Sequence, residues 1–155
     1  MPSVAVLKPI LAADEAQLRQ VAAVFAASRS GAMPWLPVLH TAEEDFHFFR
    51  TRAAVEATLM GAFNGDELLG FIAFDAEWVW HLYIKPGHQK QGHGSRLLDL
   101  VFDVPGPKKL FAFQDNEAAC QFYEAKGFMA VAFGDGAGNE EKKPDVLYLW
   151  GRAEG

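Results

Sequence analysis

Glu77-Trp-Val-Trp-His-Leu-Tyr-Ile-Lys-Pro-Gly-His-Gln-Lys-Gln-Gly-His-Gly-Ser-Arg-Leu-Leu98 is the stretch on which the reading of this chain turns. Trp78 to Ile84 is rich in aromatic and branched residues, the composition of a β-strand. Pro86-Gly87 breaks it, because proline has no amide hydrogen for a ladder and glycine relaxes the backbone. Beyond Gly94, the apolar residues Leu97, Leu98, Val101 and Phe102 fall on one face of a helix. The product is strand, loop and helix, with Gln89-Lys90-Gln91-Gly92-His93-Gly94 at the junction.

Such a junction suits an anion. The first amides of a helix have no internal partners, and the helix dipole adds partial positive charge there. Glycines at 92 and 94 remove side chains that would hold a ligand off the backbone. A phosphate or pyrophosphate therefore fits on a row of N–H groups, with Lys90 and Arg96 adding charge nearby. Neither Gly-x-x-x-x-Gly-Lys-Ser/Thr nor Gly-x-Gly-x-x-Gly occurs, which sets aside a P-loop nucleotide enzyme and a dinucleotide-binding fold.

Composition narrows the class further. A chain of 155 residues, half of them apolar, is expected to form one domain over 1–155 with a real hydrophobic core. Its formal charge of −6 argues against nucleic acid as a general partner and suits a cationic or amine-bearing substrate. One cysteine excludes an intrachain disulfide framework. With no membrane-length apolar run or leader pattern, no membrane partner is expected and the cytoplasm is the expected compartment.

Val4 to Leu7 reads as a first strand ended by Pro9, and Asp14-x-x-Gln17 caps a helix running to about Ser28. Gly31 to Pro37 reads as irregular, and Thr41-x-x-Glu44 is a capping box for a short helix through Phe48 or Phe49. Ala54 to Met60 has a strand-like pattern, Asn64-Gly65-Asp66 is a turn and Leu68 to Phe74 returns as a hairpin partner. Asp75-Ala76 turns into the 77–84 strand, and Pro105-Gly106-Pro107 ends the helix that follows. Leu110 to Phe113 is then a strand, and Asn116 caps a helix with Ala119, Phe122 and Tyr123 on one face and Gly127 at its end. Phe128 to Phe133 and Val146 to Trp150 close the chain around a polar, mobile-looking loop. The order β-α-α-β-β-β-α-β-α-β-β is an α/β arrangement with a mixed sheet.

Gln89-x-x-Gly92-x-Gly94, preceded by Leu82-Tyr-Ile84-x-Pro86 and followed by Leu97-Leu98, strongly resembles the pyrophosphate-binding segment of the GNAT acyl-CoA N-acyltransferases. A second segment, Asn116-x-x-Ala-x-x-x-Tyr123-x-x-x-Gly127-Phe128, resembles another, in the right order along the chain. The resemblance extends over nearly the full length. It implies a mixed, mostly antiparallel sheet with splayed central parallel strands, flanked by helices. It also implies acetyl-CoA as acyl donor, with direct acetyl transfer to a primary amine of a small molecule or peptide in a ternary complex.

By that resemblance, the pantetheine arm lies between the strands 78–84 and 110–113 against the backbone of Leu82, Tyr83 and Ile84. Gln89, Lys90, Gln91, Gly92, His93, Gly94 and Ser95 bind the pyrophosphate through main-chain amides, the basic residue standing one position early at Lys90. Asn116 positions the cofactor arm, or simply caps its helix. Tyr123 stands where relatives place the acid that protonates the leaving sulfur, or is a core aromatic.

The base is left open between two residues. Strand alternation puts Glu77, Val79, His81 and Tyr83 on one face, but a bulge would swap faces, so Glu77 and His81 are both candidates. In the family the first helix pair lines the acceptor pocket, which singles out Trp35 and His40, and after them Glu43 and Glu44. The five histidines and Cys120 form no ligand set with metal spacing, so no metal is expected. Cys120 has no base beside it in sequence and is not a plausible nucleophile. Edge strands and Phe46, Phe48 and Phe49 permit a homodimer. A catalytically silent acyl-CoA-binding module is the alternative from another class, favoured only by the undecided base.

Overall fold

The structure, a computed structural model, describes residues 5–151. In chain order its elements are β1 (Val6–Pro9), α1 (Glu15–Ala32), α2 (Ala42–Phe48), α3 (Ala54–Glu56), β2 (Thr58–Asn64), β3 (Glu67–Phe74) and β4 (Val79–Ile84). These are followed by α4 (His93–Asp99), β5 (Lys108–Phe113), α5 (Glu117–Ala125), β6 (Met129–Gly134) and β7 (Asp145–Trp150). The Val4 end of the expected first strand lies outside the described residues.

Caps set most helix starts. Asp14 accepts from the Gln17 amide at 3.0 Å, and Asn116 accepts from the Ala119 amide at 3.3 Å. Thr41 and Glu44 form the reciprocal capping box. Two helix ends depart from the sequence reading. α1 runs on through Gly31 to Ala32, because a glycine in a last turn costs little and Pro34 is the first true stop. Residues 54–56, read as strand, continue the helix from a π-turn over Phe49–Ala53, and the strand begins only at Thr58.

The strands form two sheets, ordered β1-β2-β3-β4 and β5-β7-β6. Every ladder among the described residues is antiparallel, a correction to the expected parallel pair in one mixed sheet. β4 and β5 meet only through an isolated parallel bridge, Trp78 to Lys109, where the Lys109 amide donates to the Glu77 carbonyl at 2.8 Å. The fully buried Lys108 reinforces that point, its Nζ donating to the Ala76 carbonyl at 2.6 Å.

Helices cover both faces. One apolar cluster joins α4 and α5 to the sheets through Leu97, Leu98, Val101, Leu110 and Tyr148; the other joins α1 and α2 through Leu18, Val21, Phe49 and Phe71. β3 lies between the two, which is why Leu68 to Phe74 is an unbroken apolar run. Phe46 and Phe49 belong to this core, and of the three phenylalanines suggested for a dimer face only Phe48 is exposed.

Candidate active site

The strand β4 carries a register shift opposite Ala73/Phe74, so Trp80 is an extra residue between Val79 and His81. Simple alternation therefore fails. Val79 and Leu82 pack into the cluster beneath α4 and α5, whereas His81 turns to the rings of Phe25, Phe48 and Phe49, with centroids 5.8, 5.6 and 5.4 Å away. Those rings take water from the imidazole. Burial, with the Arg29 guanidinium adding to it, pushes the His81 pKa down to about 4, so the ring is neutral at pH 7.

Two cavities adjoin this strand. One, of about 550 Å³, lies where β4 and β5 part, and its walls include Leu82, Tyr83, Asn116, Tyr123 and Phe113. The other, of about 1050 Å³, lies against α1 and α2 and includes Arg29, His40, Asp45, Glu140 and Glu141. His81 stands in the wall of both, as does Met33.

The Lys85 amide donates to the Leu69 carbonyl at 2.7 Å, which fixes the phase of the β3–β4 ladder. In an antiparallel pair hydrogen-bonded positions alternate, so the backbone groups of Tyr83 and His81 face β3. Those of Leu82 and Ile84 face the gap toward β5. Of the three residues expected to meet a pantetheine arm through their backbone, Leu82 and Ile84 have groups turned that way.

At the strand-to-helix junction, Lys90 and Gly92 adopt left-handed φ values of 62° and 89°. The first backbone bond of α4 runs from Arg96 to the Gly92 carbonyl, and the amides of His93, Gly94 and Ser95 have no acceptor among the described residues. A Cβ built on Gly94 would stand 3.5 Å from Phe122 and 3.9 Å from Ile84, so the loop sits directly on β4 and α5. His93 Nδ1 is buried without a hydrogen-bond partner, its Nε2 lying 3.2 Å from Gln91 Oε1. Gln89 to Ser95 line neither cavity; they lie at the far end of β4 from the bridge to β5. An amide row opened by a left-handed glycine fits a phosphate group.

Tyr123 is buried against Phe122, Phe128 and Tyr148, and burial raises its pKa well above that of an ordinary phenol. The hydroxyl therefore keeps its proton across the working range. The Asn116 side chain caps α5 through its oxygen, and the residue also lines the smaller cavity. Glu77 is exposed in the turn before β4 and lines neither cavity. Trp35 likewise lines neither, packing edge-on against Phe113 at 6.1 Å. His40, Glu43 and Glu44 do line the larger one.

Arg29, Asp45, Glu140 and Glu141 also line the larger cavity, and the sequence reading missed them. Arg29 donates to the Tyr83 hydroxyl at 3.2 Å and pairs with Glu141 at 2.9 Å, while His40 pairs with Glu140. The loop from 135 to 144, expected to be mobile, is thereby fastened across the larger cavity. An arginine on the otherwise apolar face of α1 was the one available signal.

The model of the acetyltransferase (GNAT) family matches residues 23–128, and the chain belongs to this family, whose acyl donor is acetyl-CoA. No protein of curated function matches it significantly in sequence. Among solved structures it is similar to apo YjaB from Escherichia coli, with TM-score 0.77, 19% identity, and 97% of this chain and 100% of that one covered. It is also similar to the PaiA N-acetyltransferase from Thermoplasma acidophilum in complex with coenzyme A (TM-score 0.72, 15% identity, 97% and 100% covered). A third is yncA from Salmonella typhimurium with its cofactor acetyl-CoA (TM-score 0.72, 14% identity, 99% and 96% covered). At these identities the likeness speaks for the fold. Among the described residues no helix is long and apolar enough to cross a membrane, and no group of His, Cys, Asp or Glu has the makings of a metal site.

Proposed function

We propose that the protein is an N-acetyltransferase that moves the acetyl group of acetyl-CoA directly to a primary amine of a small molecule or peptide, within a ternary complex. The observation that carries this reading is His81 standing in both cavity walls, where a thioester in one and an amine in the other would meet. Residues 1–155 act as one such domain, in the cytoplasm and without nucleic acid.

Acetyl-CoA supplies the thioester. The splayed gap between β4 and β5 holds its pantetheine arm against the backbone of Leu82 and Ile84, with Asn116 on the opposite wall. The amides from Gln89 to Ser95 hold the pyrophosphate. The Leu82 or Ile84 N–H, facing the gap, meets the oxygen that gains negative charge. Neutral His81 accepts the proton that the attacking nitrogen sheds as the C–N bond forms and that nitrogen turns acidic. A base with a pKa of about 4 does not strip a free ammonium, so the amine enters neutral and its own ionisation governs the pH dependence. Tyr123 holds a proton for the leaving sulfur. Glu77, remote from both cavities, has no part in this scheme.

The test is a screen of an amine library that follows free-thiol release from acetyl-CoA. Stoichiometric acetylated product supports the reading. Acetyl-CoA binding with no product from any amine overturns it in favour of a silent binding module.

A further inference from the structure

The larger cavity is unevenly charged. Five carboxylates, Glu43, Glu44, Asp45, Glu140 and Glu141, face it against the two guanidiniums of Arg29 and Arg52. Four of the five already have partners. Glu141 is paired with Arg29 at 2.9 Å, Glu140 with His40, and Glu43 with Arg19 at 2.6 Å, while Glu44 accepts from the Thr41 amide at 2.8 Å.

Asp45 is different. It is only 9% exposed, and among the described residues its carboxylate accepts no hydrogen bond and joins no ion pair. Burial is the largest influence on it and raises its pKa above the ordinary carboxylate value. Among the described residues the only fully buried side-chain polar atom without a partner is His93 Nδ1, so the Asp45 oxygens open onto the cavity, where an entering cation can join them. No cluster of ligating side chains suits a metal ion there among the described residues. An organic ammonium needs only one carboxylate and an aromatic wall, which Phe25 and Phe48 supply.

The reacting nitrogen is not that cation, because it must be uncharged to attack and must reach His81, the residue shared with the other cavity. Asp45 lines only the larger one. We infer that the acceptor carries a second ammonium group, as in a diamine or longer polyamine, and that Asp45 holds it while the first nitrogen reacts at His81. This rests on the transfer reading above and names its substrate class.

Two measurements test it, with α,ω-diaminoalkanes and the matching n-alkylamines as probes. In thiol release, kcat/KM for the best diamine should exceed that of its monoamine by on the order of 30-fold or more, mostly through KM. In Asp45→Asn, a near-isosteric change, that preference should collapse to within about 3-fold. Calorimetry on the protein loaded with CoA reads the same site without turnover: the diamine binds the wild type and loses most of its affinity in Asp45→Asn. Equal efficiency of diamine and monoamine in the wild type overturns the inference and needs no variant. So does a diamine preference or affinity that survives Asp45→Asn. Asp45-dependent diamine binding without thiol release from any amine keeps the cation site and overturns the transfer reading instead. Absence of diamine binding overturns the inference.

Discussion

Arg29 pairs with Glu141 at 2.9 Å across 112 residues of chain, and the same guanidinium donates to the Tyr83 hydroxyl at 3.2 Å. One side chain thus ties α1 and β4 to the loop between β6 and β7. Both partners are 18% exposed, so the pair is screened less than a surface one. Replacing Glu141 with Gln is expected to raise KM for the amine by about 5- to 10-fold with little change in acetyl-CoA affinity. Amide exchange in residues 135–144 should quicken in the same variant. Exchange and KM at wild-type levels would mean that the loop is held by other contacts.

His81 makes a prediction about stability as well as rate. Its folded pKa of about 4 lies below the ordinary histidine value of 6.5, so between those limits the unfolded state binds more protons than the folded one. Stability should therefore fall as pH drops through that window, by on the order of 3 kcal/mol in full, with no contribution above it. Thermal melts of the wild type and His81→Gln should converge toward pH 4, the variant lacking this term. Turnover by His81→Gln at pH 7 should be lower on the order of 100-fold, with calorimetric acetyl-CoA affinity retained.

Tyr123 is predicted to separate activity from folding. Tyr123→Phe keeps the ring packed against Phe122 and Phe128, so the melting temperature should move by only about 2 °C. Loss of the proton held for sulfur should lower kcat by about 10- to 100-fold. A variant with undiminished turnover removes the acid role and leaves Tyr123 as a core aromatic.

Gly92 and Gly65 make a matched pair of left-handed glycines, at φ 89° and 60°, and a Cβ at either would meet nothing within 4 Å. Alanine at either position should cost about 1–2 kcal/mol of stability through backbone strain alone. Only Gly92→Ala should also weaken acetyl-CoA binding, by about 10-fold or more, since it disturbs the amide row. Titration calorimetry on the two variants decides it, and equal affinities would place the pyrophosphate elsewhere.

Much of this molecule was legible in its residues. The caps at Asp14, Thr41 and Asn116, the hairpin at Gly65 and the glycine junction before α4 depend on bonds between near neighbours, so local spacing reveals them. Element ends were read less well at Gly31 and at residues 54–56, where a helix already packed on the core continues past residues that would not start one.

By itself, then, the sequence determined the series of strands and helices, the amide-lined loop, and a family resemblance that the match over residues 23–128 bears out. Only the tertiary structure decided which residues share a cavity. An extra residue at Trp80 turns His81 toward the rings of Phe25, Phe48 and Phe49, and Glu77 stays outside both cavities. Arg29, Asp45 and Glu141 come from distant segments, and their grouping is set by sheet register and burial. The physical reason is range: capping and turn energies act over a few residues, whereas burial and ion pairing act between surfaces that meet only once the chain has folded.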